Sequence, residues 1–221
     1  MSREAGATRR RRVVVTAGPT REYADPIRYL TNESSGRMGF EVARAAARMG
    51  DHVVLIAGPV DLETPPGVTR IDVTSAREMH AAVRQAFRTA DALFMVAAVA
   101  DWRPRRRSQG KWRKQDGVEV ASLELVKNPD ILADACRAKG KRLVVGFALE
   151  TGDGLRRAEQ KLRRKGADYV VLNDATALGG DKATVDILGR DGSRRRLERR
   201  TKRAVARALV RLAAPGRAAR S

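Results

Sequence analysis

The clearest candidates for chemistry are Asn32 and the tripeptide Ser34-Ser35-Gly36, which precede a helical pattern. A strand pattern at Val13–Thr16 lies one loop upstream, so these residues stand where a helix begins after a strand. The first turn of a helix has free backbone N–H groups and a positive dipole end, which together bind anions. The Asn32 amide can both donate and accept a hydrogen bond. The same residues could instead cap the helix, and their spacing does not decide between the two interpretations.

Two groups of cations are spaced for phosphate chemistry. Lys161 and Lys165 are four residues apart and share a helix face, where like charges repel unless a polyphosphate lies between them. Lys111 begins the basic stretch KWRK, which could be a lid that brings a cation to a phosphate. The alternatives are an exposed basic helix face and a solvated basic loop, respectively.

Further candidates follow apolar strands, where open α/β sheets bind ligands. Asp101 comes just after the apolar run ALFMVAAV and could accept from a ribose hydroxyl or a base, or cap the next turn. Phe147 could be a core residue or a wall against a flat ring. Cys136 is interpreted as a small buried apolar residue.

Alternating strand and helix patterns predict an α/β fold with a doubly wound, mainly parallel sheet. The predicted strands are Val13–Thr16, Val53–Ala57, Thr69–Val73, Ala92–Val99, Leu143–Ala148, Tyr169–Leu172 and Val185–Leu188. The predicted helices are Ser35–Met49, Ser75–Thr89, Asn128–Ala138, Gly154–Lys165 and Thr201–Ala213. Ser75 and Glu78 form a capping-box pattern, and Asn128-Pro129 predicts an N-cap followed by a proline at the first helical position.

Two segments do not fit this alternation. Residues 102–122 are rich in Arg, Lys and Gly and predict a long mobile loop, here taken as a lid. Residues 174–196 predict a hairpin extension with its turn at Arg190-Asp191-Gly192. We expect a disordered basic N-terminus at residues 1–12, a single domain at residues 13–214 and a flexible tail at residues 215–221.

Composition limits the classes of protein. The chain has 221 residues, of which 43% are hydrophobic, and this suits one globular domain with a sizeable core. No apolar run approaches the roughly 20 residues of a membrane span, and no apolar segment follows the basic N-terminus as in a signal peptide. One Cys excludes an internal disulfide and favours a reducing cytoplasm, and two His with one Cys disfavour a structural zinc site.

The net charge of +19 suggests nucleic acid as a partner, but its distribution weakens that interpretation. Residues 1–12 contain five Arg and one Glu, and residues 194–221 contain eleven Lys or Arg and one Glu. Most of the excess therefore lies near the two ends of the chain, where charge runs are usually solvated. No RNA-binding aromatic motif or zinc-finger spacing accompanies it. Nucleic-acid binding on a nucleotide-binding fold is kept only as a rival hypothesis.

A nicotinamide-dependent oxidoreductase is a second rival. The first loop lacks the G-x-G-x-x-G fingerprint, because its glycines are Gly18, Gly36 and Gly39. The second strand ends in Ala57-Gly58-Pro59, without an acidic residue for the ribose hydroxyls. Hydride transfer is therefore disfavoured.

Seven sequence blocks taken together resemble phosphopantothenate–cysteine ligase, also called phosphopantothenoylcysteine synthetase, of coenzyme A biosynthesis. The blocks run from about Val13 to Leu188 and read TAGPTRE…DPIRYLTNESSGRMG, AAVADW, K-x-R-K, LVKNPDIL, VGFALET, KLRRKGAD and NDA. The resemblance implies a cytoplasmic homodimer with a Rossmann-like fold and a small β-hairpin dimerisation extension. It implies a stand-alone ligase without the flavin-dependent decarboxylase to which many relatives are fused, so no flavin is expected.

In that family, a nucleoside triphosphate and a divalent metal, usually Mg²⁺, activate 4′-phosphopantothenate for attack by cysteine. The KNPDIL block favours CTP over ATP, which leaves the ATP-using ligase as an alternative. The resemblance implies that Asn32 and Lys111 are catalytic. It implies nucleotide contacts for Ala97, Asp101, Lys111, Pro129, Asp130, Ile131, Leu132, Phe147, Lys161 and Lys165. It implies substrate contacts for Asn32, Ser34, Ser35, Gly36 and Ala98, while the metal ligands remain open.

Three departures from the family pattern stand out. Arg37 and Arg113 replace lysines, which keeps the charge and changes the geometry. Gly180-Asp181-Lys182-Ala183 replaces a Ser-Asp-x-Asn element, which affects the expected dimer arm or nucleotide contacts. The Arg-rich segment after Arg194 has no role in the family pattern.

Overall fold

Strands and helices alternate along the chain, largely as the sequence predicts. The structure, a computed structural model, describes residues 9–113, 119–150, 152–174 and 181–213. Its strands are β1 (Arg12–Ala17), β2 (Arg21–Tyr23), β3 (Tyr29–Thr31), β4 (His52–Ala57), β5 (Val68–Asp72), β6 (Ala92–Met95), β7 (Trp102–Pro104), β8 (Leu125–Lys127), β9 (Leu143–Glu150), β10 (Tyr169–Asp174), β11 (Lys182–Gly189) and β12 (Arg194–Thr201). Its helices are α1 (Arg37–Arg48), α2 (Ala76–Phe87), α3 (Ile131–Ala138), α4 (Gly154–Lys165) and α5 (Lys202–Leu212).

Eight of the strands form one sheet in the order β12-β11-β10-β9-β6-β1-β4-β5. The strands from β10 to β5 in this order are parallel, and β11 and β12 continue the sheet antiparallel. This is the predicted doubly wound, mainly parallel sheet with a terminal hairpin. The strand order reverses between β1 and β6, and the crevice at such a reversal is where open α/β sheets bind ligands.

Helices cover both faces of the sheet, which explains why the central strands are continuously apolar. Val13 and Val15 of β1 pack with α1 and α5 on one face, and Val14 packs with α2, α3 and α4 on the other. Side chains alternate between the faces along each strand, so every central strand contributes to both cores. None of the helices among the described residues is both long and apolar enough to cross a membrane.

The N-terminus is ordered earlier than expected. Arg12 begins β1, and the Arg11 guanidinium donates to both Asp51 oxygens at 2.9 and 2.7 Å. Arg9 forms an ion pair with Asp91. The predicted disorder is therefore wrong for residues 9–12, because ion pairs tie them to the ends of neighbouring strands, while residues 1–8 lie outside the described part.

The expected lid segment is partly a β-ribbon. Trp102–Pro104 pairs antiparallel with Leu125–Lys127, and the Arg105 N–H donates to the Glu124 carbonyl at 2.9 Å. The prediction of a mobile loop over residues 102–122 is therefore wrong for Trp102–Pro104, because cross-strand hydrogen bonds hold this part of the segment. Residues 114–118 of this segment, including Lys114, lie outside the described residues.

The predicted hairpin near the C-terminus is present and longer than expected. β11 and β12 pair antiparallel, and β12 continues to Thr201 before α5 begins. The arginines after Arg194 therefore lie on an ordered edge strand and on α5. Residues 175–180 and the predicted tail at 215–221 are outside the described ranges.

Candidate functional site

A cleft of about 500 Å³ lies at the carboxyl ends of β6 and β9, between the start of α3 and the side of α4. It is lined by Met95, Ala97, Val99, Ala100, Asp101, Trp102, Lys127, Asn128, Pro129, Asp130, Ile131, Leu132, Phe147, Lys161, Arg164 and Lys165. Nine of the ten residues that the resemblance assigned to a nucleotide are among them, and Lys111 is the exception. Residues that are 68 positions apart in sequence, such as Ala97 and Lys165, thus meet in one cleft.

Buried threonines of the first strand and loop shape the rim of the cleft after β6. The Thr16 hydroxyl accepts hydrogen bonds from the N–H groups of Val96 and Ala97, both at 3.1 Å. The Thr20 hydroxyl accepts from the Ala100 N–H at 3.0 Å. These bonds end the β6 ladder at Met95, so the predicted strand to Val99 is too long. The N–H groups of Val96 and Ala97, which a longer strand would have used in its ladder, are instead satisfied by the Thr16 hydroxyl.

Asn128 fastens two sides of the cleft together. Its side-chain N–H donates to the Ala100 carbonyl at 2.8 Å, and its backbone N–H donates to the Asp101 carbonyl at 2.8 Å. The prediction that Asn128 caps α3 is wrong, because its side chain is used in this cross-connection. Asp130 is the N-cap, and its carboxylate accepts from the Ala133 N–H at 3.0 Å.

Lys161 and Lys165 project from α4 into the cleft and are each held by an oxygen. The Lys161 ammonium donates to the Phe147 carbonyl at 2.6 Å, and Lys165 forms an ion pair with Asp130. The Lys165 side chain is only 17% exposed, so the alternative of an exposed basic helix face does not describe this pair. Burial lowers the pKa of Lys161, and the nearby carboxylates of Glu150 and Asp101 oppose that shift.

Two aromatic side chains stand at the cleft. Phe147 is half-buried, packs partly against the core on the α1 face and lines the cleft, so its core role is confirmed and its role as a wall against a flat ring stays a prediction. Trp102, which ends the AAVADW block but was not predicted as a site residue, is 46% exposed and has the Lys127 ammonium 5.7 Å from its ring centre. An exposed ring of this kind can stack on a nucleotide base.

The Asp101 carboxylate is exposed at the mouth of the cleft. Within the described residues it accepts no side-chain or backbone hydrogen bond, although its backbone carbonyl binds Asn128. It does not cap a following turn, which was one of its two expected roles. Its acceptor capacity is therefore available for hydroxyl or amino groups of a ligand.

Asn32 lies at the rim of the cleft. Its side-chain N–H donates to the carbonyl of Val99, a cleft-lining residue, at 3.1 Å. The N-cap of α1 is Gly36 with a φ of 73°, and no side chain caps the helix. The capping interpretation of Asn32 and Ser34 is therefore wrong, and Ser34 instead accepts from the Gly36 N–H at 3.3 Å. Ser35 is exposed beside this start.

Glycine brings the start of α1 close to the end of β1. A Cβ at Gly39 would lie 2.5 Å from the Ala17 Cβ and 2.8 Å from the Thr16 carbonyl oxygen. Only glycine allows this approach. The Ala98 N–H donates to the Gly18 carbonyl at 2.9 Å, so the rim after β6 and the loop before α1 are joined. The free first turn of α1 thus faces the same edge of the sheet as the cleft.

The basic stretch after β7 is anchored beside this edge. Lys111 is exposed and does not line the cleft. Its neighbour Trp112 donates its backbone N–H to the fully buried carboxylate of Asp25 at 3.0 Å. This hydrogen bond is the main cause that holds the pKa of Asp25 well below its usual range, and further N–H donors from Ile27 and Arg28 act in the same direction.

Neither Cys136 nor an acidic or histidine cluster adds a reactive or metal-binding group to the described part of the site. Cys136 is half-buried, and burial raises the pKa of its thiol to about 11, as suits an inert packing residue. No cluster of three or more His, Cys, Asp or Glu that could hold a metal ion occurs in the described ranges.

Sequence reasoning missed five residues of this region: Asp25, Trp102, Lys127, Asn128 and Arg164. An aromatic directly after Asp101 was a usable signal for Trp102, and Arg164 belongs to the same basic run as Lys165. Asp25 begins the DPIRYL stretch of the family pattern, but its role could not be predicted, because its partner Trp112 is 87 residues away along the chain.

The chain is similar in sequence to proteins whose names refer to coenzyme A biosynthesis. Residues 8–215 match the family described as DNA/pantothenate metabolism flavoprotein C-terminal domain. The chain is 47% identical over 170 residues to the coenzyme A biosynthesis bifunctional protein CoaBC of Vibrio cholerae, covering 76% of this chain and 43% of that protein. The identity to CoaBC of Bacillus subtilis is 43% over 190 residues, covering 84% and 46%. The chain therefore spans less than half the length of these curated relatives.

Solved structures agree in fold. The C-terminal domain of a CoaBC protein superposes with a TM-score of 0.79 at 37% identity, covering 91% of this chain and 93% of that one. A variant of Cab2 in complex with phosphopantothenate-cysteine superposes with a TM-score of 0.75 at 16% identity, covering 92% and 86%. At that identity the second likeness concerns the fold alone.

Proposed function

The chain belongs to the family of the DNA/pantothenate metabolism flavoprotein C-terminal domain, and on that premise we propose that it joins (R)-4′-phosphopantothenate to L-cysteine. In the first half-reaction, the carboxylate of 4′-phosphopantothenate attacks the α-phosphate of CTP and expels pyrophosphate, which gives an acyl-cytidylate. In the second, the cysteine amine attacks the acyl carbon and expels CMP. The product is 4′-phosphopantothenoylcysteine.

The observation that carries this proposal is the convergence of the expected nucleotide residues on one cleft. Lys161, Lys165 and Arg164 would hold the triphosphate, because their cationic groups are gathered at the α4 side of the cleft. Asp101 would accept from the ribose or base. Phe147 and Trp102 would flank the base.

Asn32 would act on the acyl group. Its contact with Val99 holds its amide at the rim, beside the free N–H groups of the α1 start. A side-chain N–H there can stabilise the oxygen charge that develops as the amine attacks the acyl carbon. Ser34, Ser35, Gly36 and Ala98 would bind the phosphopantothenate part at the same edge.

Lys111 would neutralise charge as the α-phosphate is attacked. It lies outside the cleft lining, so it would have to approach when substrates bind, as lid residues do. Arg113 keeps a second cation in the same stretch.

A divalent ion such as Mg²⁺ belongs to the proposal as a companion of CTP. The described residues offer no acidic cluster, and the protein ligands of the ion stay open. Mg²⁺ commonly binds through only one or two carboxylates together with phosphates and water, so a cleft without an acidic cluster still fits an ion that is held mainly by the triphosphate. The bound ion would supply charge neutralisation on the triphosphate. The proposed reaction uses no flavin.

A homodimer in the cytoplasm completes the proposal. The hairpin edge expected to mediate pairing carries Arg194, Arg195, Arg196, Arg199 and Arg200 on β12. Like charges placed opposite each other across paired strands are destabilising. A dimer would therefore have to avoid direct β12-to-β12 pairing, and sedimentation equilibrium of the intact chain measures whether a dimer forms.

The test of the function is a substrate panel. Pyrophosphate release is measured with CTP or ATP, with and without 4′-phosphopantothenate and cysteine. We expect release with CTP that requires 4′-phosphopantothenate but not cysteine, and amide formation only when cysteine is added. Pyrophosphate release that requires 4′-phosphopantothenate but occurs with ATP and not with CTP would favour the ATP-using ligase. No release with any combination would refute the ligase.

The two half-reactions assign the catalytic residues. Lys111→Gln should suppress pyrophosphate release by about 100-fold, since it removes a charge that is needed when the α-phosphate is attacked. Asn32→Asp should mainly impair amide formation, because a carboxylate cannot donate to the developing oxygen charge. Equal losses of both steps in both variants would contradict this division.

A further inference from the structure

The two oxygens of the buried Asp25 carboxylate have different tasks. Oδ1 accepts from the backbone N–H groups of Ile27 and Arg28 at 2.8 and 2.7 Å, which closes the turn between β2 and β3. Oδ2 accepts from the Arg28 guanidinium at 2.6 Å and from the Trp112 N–H at 3.0 Å. One oxygen therefore builds a local turn, while the other holds a distant segment.

Trp112 is held at both of its backbone groups. Its N–H donates to Asp25, and its carbonyl accepts from the Arg28 guanidinium at 2.8 Å. Asp25 is 0% exposed, and a buried carboxylate is costly unless it is fully hydrogen-bonded. The Trp112 N–H is thus one of four donors that make this burial tolerable. The hydrogen bond from Trp112 to this buried carboxylate is therefore a specific attachment of its segment to the β2–β3 turn.

A second anchor lies on the other side of Lys111. The Ser108 N–H donates to the Ala24 carbonyl at 2.8 Å, and the Arg107 guanidinium lies 4.8 Å from the centre of the Tyr23 ring. Lys111 thus stands between two points at which its segment is fastened to the β2–β3 hairpin. The hairpin position decides where the base of the Lys111 side chain lies.

We propose that Asp25 is a positioning residue that sets the place of Lys111 through the backbone of Trp112. This inference rests on the proposed function, in which Lys111 acts on the α-phosphate. Asp25 itself touches neither substrate nor nucleotide. It holds the segment from which the lysine must reach the cleft, so its loss should slow the first half-reaction without weakening nucleotide binding.

Asp25→Asn separates the two tasks of the carboxylate. The amide oxygen can keep the turn, because asparagine accepts the same backbone N–H groups. The amide nitrogen takes the place of Oδ2 and cannot accept from the Arg28 guanidinium or the Trp112 N–H. The hydrogen bond that fixes Trp112 is therefore lost. We expect hydrogen exchange of the Trp112 amide to rise roughly tenfold, the size of one charged hydrogen bond.

The kinetic readout distinguishes positioning from general destabilisation. We expect Asp25→Asn to lower the rate of pyrophosphate release by up to about 100-fold, as misplacement of a catalytic group by about 1 Å can do. The dissociation constant for CTP should stay within about twofold, because the cleft residues are untouched. In the Lys111→Gln background the Asp25 substitution should cost nothing further, since it acts through that lysine.

Asp51→Asn is the matched control. Asp51 is a 9% exposed carboxylate that accepts a two-pronged hydrogen bond from Arg11, and it precedes β4 at the amino ends of the strands, away from the cleft. It undergoes the same chemical change and should leave pyrophosphate release within about twofold, since it supports no active-site loop.

A second pair of variants applies if Asp25→Asn does not fold. Trp112→Pro removes the backbone donor and leaves the carboxylate intact, and Trp112→Ala keeps the donor and removes only an exposed side chain. The proline variant should reproduce the loss of pyrophosphate release, and the alanine variant should not.

The outcomes distinguish a failure of the proposed function from a failure of the positioning role of Asp25. If the wild-type chain releases no pyrophosphate, the proposed function fails and the inference falls with it. If the wild type is active, the positioning role alone is overturned by any of three results: Asp25→Asn within twofold of wild type, a full additive loss in the double variant, or equal losses in Trp112→Pro and Trp112→Ala.

Discussion

Cations occur in two contrasting settings, the cleft at the carboxyl edge of the sheet and the exposed face of α5. In the cleft, Lys161 and Lys165 are mostly buried, and each donates to an oxygen. On α5, Arg203, Arg207 and Arg211 are exposed, and none has an ion pair or side-chain hydrogen bond among the residues that the structure describes. The first group is fixed before any ligand arrives, whereas the second is free to move in solvent.

The contrast extends to the groove between α1 and α5. This groove of about 170 Å³ is lined by Glu41, Arg44, Ala45, Arg48, Met49, Arg203, Arg207 and Arg211. Only Arg44 among its arginines has an acidic partner in the described residues, which is Glu41. This groove has many arginines, but most of their guanidinium groups are not held by an acidic partner in the described residues. The net charge of +19 is therefore a poor guide to where the chemistry takes place. A few positioned cations carry more functional information than many solvated ones.

The sharpest test of the contrast exchanges one cation in each setting. Lys161→Gln should lower kcat/KM for CTP by about 100-fold, because the variant loses the whole interaction between a desolvated ammonium group and a phosphate. Arg207→Gln removes the same charge from α5 and should stay within about twofold. Steady-state pyrophosphate release measures both. Similar losses in the two variants would mean that total charge, and not position, attracts the nucleotide.

The pH dependence of CTP binding gives a second test. Burial lowers the pKa of Lys161, so its ammonium is present below that value and is lost as pH rises through it. CTP affinity should therefore weaken at an alkaline pH at which an ordinary lysine would still be charged, and Lys161→Arg should move this loss to higher pH. Folding stability should change in the opposite direction, since the unfolded chain binds that proton more tightly.

Isothermal titration of CTP between neutral and alkaline pH measures the binding limb. Arg207→Gln serves as the control, because it changes net charge without touching the cleft. A binding limb at the same pH in wild type and Lys161→Arg would exclude Lys161 as its source.

The smallest effect is expected on α5. Replacing Arg203, Arg207 and Arg211 together by Gln should raise the free energy of unfolding by no more than about 0.5 kcal/mol, because it relieves like-charge repulsion at four-residue spacing. Pyrophosphate release should not change. Urea unfolding at low and high salt measures the stability, and the gain should shrink as salt screens the repulsion.

Replacement of Arg77, Arg84 and Arg88, three exposed arginines of α2 and its C-cap, by Gln is the matched control for net charge. A loss of several kcal/mol in the α5 variant but not in this control would show that the arginine groove is a structural element of the fold.

Features that depend on neighbouring residues could be predicted well. α4 occupies Gly154–Lys165 as predicted, because its apolar periodicity and the C-cap Gly166 are local. The Ser75 and Glu78 capping box is also confirmed, with the Glu78 N–H donating to the Ser75 hydroxyl at 3.3 Å. The mainly parallel, doubly wound sheet was also predicted correctly, because alternating strand and helix patterns are properties of neighbouring residues.

Features that depend on distant partners could not be predicted. Asn128 and Asp130 are both good N-cap residues, and only the position of Ala100 decides that Asn128 is used elsewhere. The end of β6 depends in the same way on the Thr16 hydroxyl, which lies 80 residues upstream of Val96.

Periodicity and motif spacing are properties of the chain, so they were enough to predict the type of sheet and the family. They also led to the prediction of which residues bind a nucleotide. Tertiary structure decided which of those residues share a cleft, that Asn32 contacts Val99 and does not cap α1, and that a buried carboxylate at Asp25 fastens the segment of Lys111. Hydrogen bonds and burial depend on which groups are close in space. Residues separated by 80 or more positions become neighbours only when the strands assemble into the sheet and the helices pack on its two faces.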